Sequence, residues 1–491
     1  MSGEKTFRPK ARTPRGFRDR GAQEIAAERR MLDTIARVYE SYGFEALETP
    51  AFEYADALGK FLPDQDRPNE GVFSLEDDDG QWMSLRYDLT APLARYVAQN
   101  FQTLPKPFRR YQMGTVWRNE KPGPGRFREF TQCDADTVGS NSPAADAELL
   151  MMMCDVLEAT GLKRNEYVVK FSNRKLLDGA LEVARVDESK RGAVLRAIDK
   201  RDRLGVEGLR ALLGKGRKDE SGDFTKGADL SNEQIDLVLA FVDQRAGSSS
   251  IQKSKLEINK EISRTPIGSE GSGEVEEIFQ AINRCGHEGP IHFDTSIVRG
   301  LDYYTGAVFE AQLAFPVKNE AGETVVMGSV AGGGRYDDLV ARFTGQQVPA
   351  TGVSIGVSRL LTALRARGLT GEEQPPLVVV LSMGDVAESF ALARELRASG
   401  IRAEAYVGTK KMQDQLKYAD RRNAAIAVIE GEDERAKGEV TLKDLALGAE
   451  LAKSIESRAA WVKDRPAQKT VARADLVSEV RKMLAKAGKA R

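Results

Sequence analysis

The sequence contains little cysteine and almost no histidine. Its three cysteines, Cys133, Cys154 and Cys285, lie far apart, with no pair at the spacing of a metal-binding loop. This spacing argues against a disulfide framework and against a thiolate zinc site. The presence of only two histidines, His287 and His292, also argues against catalysis or metal binding by a histidine cluster.

The chain also lacks an excess of either charge and lacks long apolar runs. Its 73 Lys and Arg residues and 74 Asp and Glu residues give a formal net charge of −1. Contact with nucleic acid therefore requires a local basic patch. No apolar run approaches the roughly 20 residues that cross a membrane, and the basic N-terminal arm has no signal-peptide core. We expect a soluble cytoplasmic protein.

Three segments combine arginine, glycine and aromatic residues. Neither a Walker lysine loop nor a G-x-G-x-x-G turn after a strand is present, which excludes the P-loop and Rossmann types of nucleotide site. The segments are FRRYQMGTVWRNEKPGPGRFREFTQCDAD (108–136), RGLDYYTG (299–306), and the stretch from GGGRYDDL to GVSIGVSRL (332–360).

The first segment has the pattern of a β-hairpin with a long Pro/Gly turn. Arg118, Arg126 and Arg128 lie at its mouth. The planar guanidinium binds phosphate oxygens in pairs and stays charged, which suits ATP. Phe130 offers an aromatic face to a purine. The alternative interpretation is a cationic surface hairpin.

The second and third segments are weaker signals when each is taken alone. RGLDYYTG places Arg299 beside Asp302 and two tyrosines, and the alternative is a structural ion pair with tyrosines in the core. In the third segment, glycines 332–334 permit close backbone approach. Arg359 follows a predicted strand and would lie early in the next helix.

Two short polar patterns are candidates for binding a small substrate. Asp88 and Thr90 are two residues apart in LRYDLTAP. This spacing predicts that both side chains lie on one face of a strand. There, an anion and a hydroxyl can receive an ammonium group. Gln132, Asp134 and Asp136 also alternate and share a face. A carboxylate opposite a tyrosine hydroxyl can bind both ring nitrogens of an imidazole. For each residue singly, ordinary hydrogen bonding within the sheet is the alternative.

Taken together, these segments resemble the signature segments of the histidyl-tRNA synthetase family, which belongs to the class II aminoacyl-tRNA synthetases. The resemblance runs from PRGFRD (14–19) into the C-terminal part of the chain. It implies ATP-dependent ligation of L-histidine to tRNA(His) through a histidyl-adenylate, with Mg²⁺ accompanying ATP. The helix, strand and proline at 22–50 resemble the segment that forms the homodimer interface in that family.

The resemblance also assigns roles to individual residues. Arg118 and Arg299 would be catalytic, stabilising charge on the α-phosphate. Asp136 and Tyr304 would hold the histidine ring, with Asp136 standing where many bacterial relatives have glutamate. The histidine-binding set is Asp88, Leu89, Thr90, Arg118, Gln132, Asp136, Arg299, Tyr303 and Tyr304. The ATP-binding set is Arg118, Glu120, Arg126, Phe130 and Arg359. Candidates for tRNA binding are Lys121, Gly123, Lys410, Lys411, Gln415 and Lys417, and for the last four a solvated surface is the alternative.

The expected fold is an α+β catalytic domain with a mixed, mainly antiparallel class II synthetase sheet, a helical insertion and a C-terminal α/β anticodon-binding domain. After GLTGEEQPP, a linker signal, strands and helices alternate, which predicts a mostly parallel second sheet. Within the first domain, Ser142-Pro143 and Gly161 predict the start and end of a helix over 143–160. The predicted boundaries are 1–172 and 287–367 for the two catalytic parts, 173–286 for the insertion, 368–376 for the linker, and 377–491 for the last domain with its basic tail.

Two other functions fit parts of this pattern. One is the catalytically idle, synthetase-like regulatory subunit of ATP phosphoribosyltransferase, which lacks an anticodon-binding domain. Residues 377–491 and the arginines at 118, 299 and 359 favour the ligase over this alternative. The other is a signalling protein with a degenerate synthetase domain, for which extra domains are expected and none is visible in the sequence.

Overall fold

The computed structural model describes residues 9–61, 71–123, 127–218, 224–242, 259–297, 304–318, 324–325, 328–370, 375–445, 447–448 and 467–489. The chain divides into two compact units, Met1–Gly371 and Glu372–Arg491. Within the described ranges, no helix is both long enough and apolar enough to span a membrane.

The first unit is built on an eight-stranded sheet. The order of its strands is β1-β5-β6-β15-β14-β11-β7-β10. Only the two edge pairs, β1 with β5 and β10 with β7, are parallel. The other five pairs are antiparallel, which confirms the predicted mixed, mainly antiparallel sheet. The strands of this unit are β1 (Glu45–Ala46), β2 (Phe52–Tyr54), β3 (Ser74–Glu76), β4 (Trp82–Leu85), β5 (Phe108–Trp117), β6 (Glu129–Val138), β7 (Tyr167–Asn173), β8 (Gly216–Lys218), β9 (Phe224–Lys226), β10 (Ile291–Phe293), β11 (Ala307–Leu313), β12 (Val317–Lys318), β13 (Thr324–Val325), β14 (Ala331–Arg335) and β15 (Ala350–Gly356).

Several helices pack against one face of this sheet, and a smaller apolar core lies on its other face beside the polar site. The helices of the unit are α1 (Ala22–Ser41), α2 (Thr90–Asn100), α3 (Pro143–Ala159), α4 (Arg174–Val183), α5 (Glu188–Ile198), α6 (Arg201–Leu213), α7 (Asn232–Val242), α8 (Pro266–Arg284), α9 (Ala341–Thr344) and α10 (Val357–Ala366), with a 3₁₀ helix at Ala55–Phe61. The main core contains residues of α1, α3, α8, α10 and the sheet. Helix α3 is apolar almost all round because α1 and α8 also contact it.

Local signals explain where these helices begin. The Ser142 hydroxyl accepts a hydrogen bond from the Ala144 backbone N–H at 3.2 Å, and Pro143 occupies the first turn, so the predicted start of α3 is confirmed. Helices α4 to α7 supply most of a second apolar core. This confirms the predicted helical insertion.

The second unit contains a five-stranded sheet in the order β17-β16-β18-β19-β20. Strand β16 pairs in parallel with both neighbours, but β18–β19 and β19–β20 are antiparallel, so the mostly parallel sheet that we predicted is wrong. The stretch between β18 and β19 is too short for a parallel crossover, which needs about a dozen residues or more. The elements are β16 (Val378–Val380), α11 (Val386–Ala398), β17 (Ala403–Ala405), α12 (Met412–Arg421), β18 (Ile426–Ile429), α13 (Glu432–Ala436), β19 (Glu439–Asp444), β20 (Gln468–Ala472), a 3₁₀ turn at Arg473–Asp475, and α14 (Leu476–Lys489).

Candidate active site

One face of the first sheet carries a ladder of polar side chains centred on β6. Gln132, Asp134 and Asp136 alternate along the strand and share this face, as predicted. Residues directly opposite in antiparallel strands also share a face. Each of the three lies between one residue of β5 and one of β15, in the rows Gly114–Gln132–Gly356, Gln112–Asp134–Ser354 and Arg110–Asp136–Gly352.

Asp136 is held at the inner end of this ladder. Its Oδ2 lies 3.0 Å from Nη2 of Arg110, which is completely buried, and its Oδ1 accepts a hydrogen bond from the Tyr336 hydroxyl. Arg110 also donates to the Leu89 carbonyl at 3.0 Å. A Cβ atom at Gly352 would overlap the Asp136 carboxylate, so only glycine fits opposite it. Asp136 Oδ1 is thus hydrogen-bonded within the protein, whereas Oδ2 faces the Arg110 guanidinium without a hydrogen-bond partner among the described residues.

Asp88 and Thr90 do not form the strand that we predicted. Thr90 is the first residue of α2, and the Asp88 carboxylate accepts a hydrogen bond from the Ala91 backbone N–H at 3.0 Å. Asp88 precedes the helix and Pro92 lies in its first turn, and both are signals of a helix start. Together they outweigh a short alternation. Asp88 nevertheless lies close to the ladder: burial and the charge of Asp136 raise the pKa of Asp134, and the charge of Asp88 raises it further.

Tyr304 lies beside the same carboxylates. Burial raises the pKa of its phenol, and the charges of Asp134, Asp136 and Asp88 raise it further. A side chain at Gly334, on the neighbouring β14, would collide with the Tyr304 ring. The structure thus brings Tyr304 close to Asp88, Asp134 and Asp136.

A cavity of about 350 Å³ adjoins the outer end of the ladder. The cavity lies between the β5–β6 hairpin and the segment that runs from β15 into α10. These two parts of the chain are more than 200 residues apart in sequence. Its floor consists of small residues, including Gly332, Ser354 and Gly356. The other predicted residues that line it are Arg118, Glu120, Lys121, Phe130, Gln132 and Arg359.

Arg118 is clamped between two aromatic rings at this cavity. Its guanidinium carbon lies 4.3 Å from the centre of the Tyr87 ring and 5.0 Å from that of Phe130. Its Nε donates to the Tyr87 carbonyl at 3.3 Å. The Tyr87 hydroxyl in turn donates to Glu120 at 2.9 Å. Stacking on rings orients a guanidinium while keeping its charge, which suits the binding of a phosphate.

Arg359 lies at the opposite side of the cavity. It is exposed in the first turn of α10, as predicted, and its Nη1 donates to the Ser329 carbonyl at 2.9 Å. The cavity is therefore bordered by a cation from each of two separate segments. Among the described residues, no group of three or more His, Cys, Asp or Glu side chains is arranged to hold a metal ion.

The other predicted site residues fall into two groups. Arg126, Arg299 and Tyr303 fall outside the described residues. Lys121 and Gly123 are exposed in the hairpin loop, and Lys410, Lys411 and Lys417 are exposed at or before α12 in the second unit.

The role predicted for Gln415 as a tRNA contact is not supported. This residue is only 3% exposed. Its amide donates to the carbonyls of Ser382 and Lys410 at 2.8 and 2.9 Å. From its buried position on α12, its side chain therefore stabilises the loop that carries Lys410.

Arg110 and Tyr336 were missed as site residues. The sequence segments that contain them were identified as candidates because of other residues: Arg118 in the first, and glycines 332–334 in the second. The alternation of β5 does place Arg110 on the same face as Gln112 and Gly114. What the sequence could not supply was the register that sets Arg110 opposite Asp136.

An antiparallel sheet with an arginine-bordered cavity beside a polar pocket is the arrangement of class II aminoacyl-tRNA synthetases, and comparisons with known proteins specify the family. The family model described as histidyl-tRNA synthetase matches residues 16–360, and an anticodon-binding domain matches 377–483. The histidine--tRNA ligase of Caulobacter vibrioides is 56% identical over 97% of both chains. This chain belongs to the histidyl-tRNA synthetase family.

Solved structures agree with this assignment. The crystal structure of histidyl-tRNA synthetase from Nostoc sp. PCC 7120 is similar with a TM-score of 0.69 and 29% identity, over 97% of this chain and 100% of that one. A Bacillus halodurans structure described as an ATP phosphoribosyltransferase regulatory subunit/histidyl-tRNA synthetase gives a TM-score of 0.64 at 22% identity, over 84% of this chain and 97% of that one. The latter likeness shows a shared fold alone. The identity of more than half of nearly the full chain with histidine--tRNA ligases does not favour the regulatory-subunit alternative.

Proposed function

We propose that the protein catalyses the ATP-dependent ligation of L-histidine to tRNA(His) through a histidyl-adenylate intermediate. The observation that carries this proposal is the continuity of one sheet face. Phe130 and Gln132 of β6 border the cavity, and Asp134 and Asp136 continue the same face into a buried polar pocket. A nucleotide and an amino acid bound along β6 would meet at Gln132.

The cavity would bind ATP together with its Mg²⁺. Phe130 would stack on the adenine, Glu120 would accept from its amino group, and Arg359 would contact the γ-phosphate. Arg118 would contact the α-phosphate, where charge increases as the histidine carboxylate attacks phosphorus and pyrophosphate leaves. A preorganised cation at that position stabilises the transition state more than the ground state. The phosphates and water supply most ligands that Mg²⁺ requires.

Histidine would lie along β6 with its carboxylate toward Arg118. Its ammonium group would be received by Asp88, Thr90 and Gln132, whose Oε1 is buried without a hydrogen-bond partner among the described residues. Its ring would point along the strand toward Asp136 and Tyr304, the residues that the resemblance assigns to it. Leu89, which is fully buried, would contribute through its backbone.

Arg299, Tyr303 and Arg126 retain the roles that the resemblance gives them. Arg299 would bridge the histidine carboxylate and the α-phosphate, Tyr303 would line the histidine pocket, and Arg126 would contact ATP. In the second step, the terminal ribose hydroxyl of tRNA would attack the adenylate carbonyl carbon and AMP would leave. Lys121 attracts phosphate without reading a base, so near Gly123 it would contribute affinity for the tRNA end.

Amino-acid-dependent exchange of pyrophosphate into ATP tests this function directly. We expect exchange with histidine and not with the other common amino acids, and transfer of histidine to tRNA(His). A regulatory subunit or a degenerate signalling protein would show neither reaction. Exchange supported by a different amino acid would contradict the histidine pocket.

The second unit would bind the anticodon of the tRNA. Truncation after Arg367 is expected to leave histidine-dependent exchange measurable and to reduce tRNA charging severely, because the candidate site for adenylate formation lies wholly in the first unit. Exchange and aminoacylation are measured on the same preparations. Unimpaired charging by the truncated protein would contradict the anticodon-binding role.

A charge-removal variant tests the same claim in the full chain. Replacing Lys410, Lys411 and Lys417 by alanine should raise the KM for tRNA and weaken its salt dependence, because phosphate contacts release counterions. Exposed Lys437 and Lys469, replaced together, provide a control outside this cluster. Equal effects of both replacements would indicate nonspecific electrostatics.

A homodimer is part of the proposal, as is a cytoplasmic location. The sheet of β2, β3 and β4 carries Phe52, Tyr54 and Leu75 at 43%, 57% and 42% exposure. Tyr54 and Leu75 both lie opposite Met83, and Phe52 is two residues from Tyr54, so the three share one face. Exposed apolar patches commonly mark protein interfaces. This face supports the self-association that the resemblance implies.

A further inference from the structure

The candidate active site does not include the basic N-terminal arm, residues 9–20. The arm has the sequence PKARTPRGFRDR, with five cationic side chains and one carboxylate, in a chain whose formal net charge is −1. Such a local concentration of positive charge is the electrostatic sign of a nucleic-acid contact. What it can contact depends on where the arm lies.

The arm packs against the β5–β6 hairpin. The Arg128 backbone N–H donates to the Gly16 carbonyl at 2.8 Å. A Cβ atom at Gly16 would lie 2.9 Å from side-chain carbons of Arg128 and 3.2 Å from Cβ of Pro122, so the two segments are in close contact. Pro122 directly follows Lys121 in the hairpin loop. The arm therefore lies beside the loop residue that is proposed to attract the tRNA end.

A tight turn fixes the arm in this position. The Phe17 N–H donates to the Pro14 carbonyl at 3.1 Å, and Gly16 has a φ of +86°, as the third residue of a type II turn requires. After the turn, the guanidinium carbon of Arg18 lies 4.5 Å from the centre of the Phe127 ring. Phe127 lines the candidate ATP cavity, so these contacts hold the arm at a wall of that cavity.

The five cations of the arm differ in their partners. Arg18 and Arg20 form ion pairs with Glu24 and Glu28 of α1, at Nη1–Oε2 distances of 3.1 and 2.5 Å. An exposed cation without such a partner keeps its charge for an incoming anion. The arm cations that are exposed and form no ion pair among the described residues are Lys10, Arg12 and Arg15. Two cations therefore anchor the arm, and three are available to a partner.

The end of the tRNA has to approach the same wall of the cavity. In the proposed second step, the terminal ribose hydroxyl attacks the adenylate in the cavity, and the hairpin residues Lys121, Pro122 and Phe127 line it. The RNA strand that leads to this ribose carries a phosphate at each nucleotide. From Arg15 to Lys10 the chain spans at most about 18 Å, so all three cations stay within reach of this wall.

We propose that Lys10, Arg12 and Arg15 form a binding surface for the phosphate backbone at the acceptor end of tRNA. Contacts with phosphates position a nucleic acid without reading its bases, so this surface contributes affinity and orientation rather than identity. It extends the basic surface that Lys121 begins in the hairpin loop. This inference rests on the proposed transfer of histidine to tRNA.

The test replaces Lys10, Arg12 and Arg15 together by alanine in the full-length protein. The probe is an RNA stem-loop that reproduces the acceptor stem of tRNA(His) with its unpaired 3′ end, and fluorescence anisotropy measures its Kd. We expect the Kd to rise roughly 10-fold or more at about 0.1 M salt. The slope of log Kd against log salt should decrease by about 2–3, because three phosphate contacts are lost. The KM for tRNA in aminoacylation should rise in parallel.

Two further variants test whether charge at the arm is the cause. Replacing Lys163, Arg164 and Arg284 by alanine removes the same numbers of lysines and arginines from exposed positions before β7 and β10, at the sheet edge remote from β5 and β6. This control should change the Kd by less than about twofold. Arg12→Lys combined with Arg15→Lys keeps the charge and should bind within about threefold of the wild type. An equal loss in the control, or a loss in the lysine variant as large as in the alanine variant, would contradict phosphate binding by the arm.

Pyrophosphate exchange distinguishes failure of this inference from failure of the proposed function. The alanine variant of the arm should keep the wild-type kcat and KM for ATP, because no residue of the arm is among the described residues that line the cavity. If the KM for ATP rises together with the Kd for RNA, the arm acts through the shape of the hairpin and the proposed surface is wrong. If exchange depends on histidine and the variant binds the RNA as tightly as the wild type, the inference is wrong although the function stands. A wild-type protein without histidine-dependent exchange would contradict the function itself.

Discussion

Asp136→Asn is expected to destabilise the first unit by about 3–5 kcal/mol, the usual cost of removing one partner of a buried ion pair. The reason is Arg110, which is fully buried and has the Asp136 carboxylate 3.0 Å from its Nη2. Asparagine leaves this cation without a counter-charge and weakens the acceptor of the Tyr336 hydroxyl. Urea unfolding, followed by tryptophan fluorescence, measures the loss.

The pair can be removed as a whole to check this cause. Arg110→Met combined with Asp136→Leu should recover much of the stability lost in Asp136→Asn, because no charge is then left buried. Tyr336→Phe removes only one hydrogen bond and should cost about 0.5–1.5 kcal/mol. If Asp136→Asn unfolds at the same urea concentration as the wild type, Arg110 finds another counter-charge and the stabilising role of the ion pair is wrong.

The main features of the fold could be predicted because they depend on local chemistry. Alternation and a Pro/Gly loop predicted the β5–β6 hairpin, and Ser142-Pro143 predicted the start of α3. Both signals act between residues that are neighbours in sequence. The prediction of a mostly parallel second sheet was wrong. The direction of β19 is set by the length of its connection to β18 rather than by the pattern of either strand.

The candidate site was predictable in its residue types and less so in its pairings. Gln132, Asp134 and Asp136 were placed on one face from the period of a strand alone. Which of the carboxylates is satisfied by the protein depends on Arg110 of β5 and Tyr336 beyond β14, and only the folded register brings these together. The interpretation of Asp136 as a ring contact came from resemblance, and the alternation of β6 alone does not distinguish it from Asp134.

Two errors have the same physical origin. Asp88 and Thr90 alternate as in a strand, but the aspartate can also accept a backbone N–H at a helix start, and α2 forms instead. Gln415 lies beside lysines in the sequence, but it faces the protein interior because a helix turns about 100° per residue. In both cases the tertiary context decides between two local structures that the sequence permits.

Arg118→Ala should reduce the rate of adenylate formation about 10²–10³-fold, the typical effect of removing one preorganised donor to a developing negative charge. The change should affect kcat more than the KM for histidine, because the interaction strengthens as the carboxylate attacks. Arg118→Lys should recover only part of the rate, since an ammonium group has no planar surface to stack between Tyr87 and Phe130.

Single-turnover formation of histidyl-adenylate gives the rate without the contribution of product release, and Tm shows whether each variant is folded. Arg95→Ala is the matched control, because Arg95 lies on α2, pairs with Glu53 at 2.7 Å, and does not line the cavity. It should change adenylate formation by no more than a few-fold. If Arg118→Ala is folded and equally active, Arg118 is not the cation at the α-phosphate. The α-phosphate would then have to lie away from the Tyr87–Phe130 clamp.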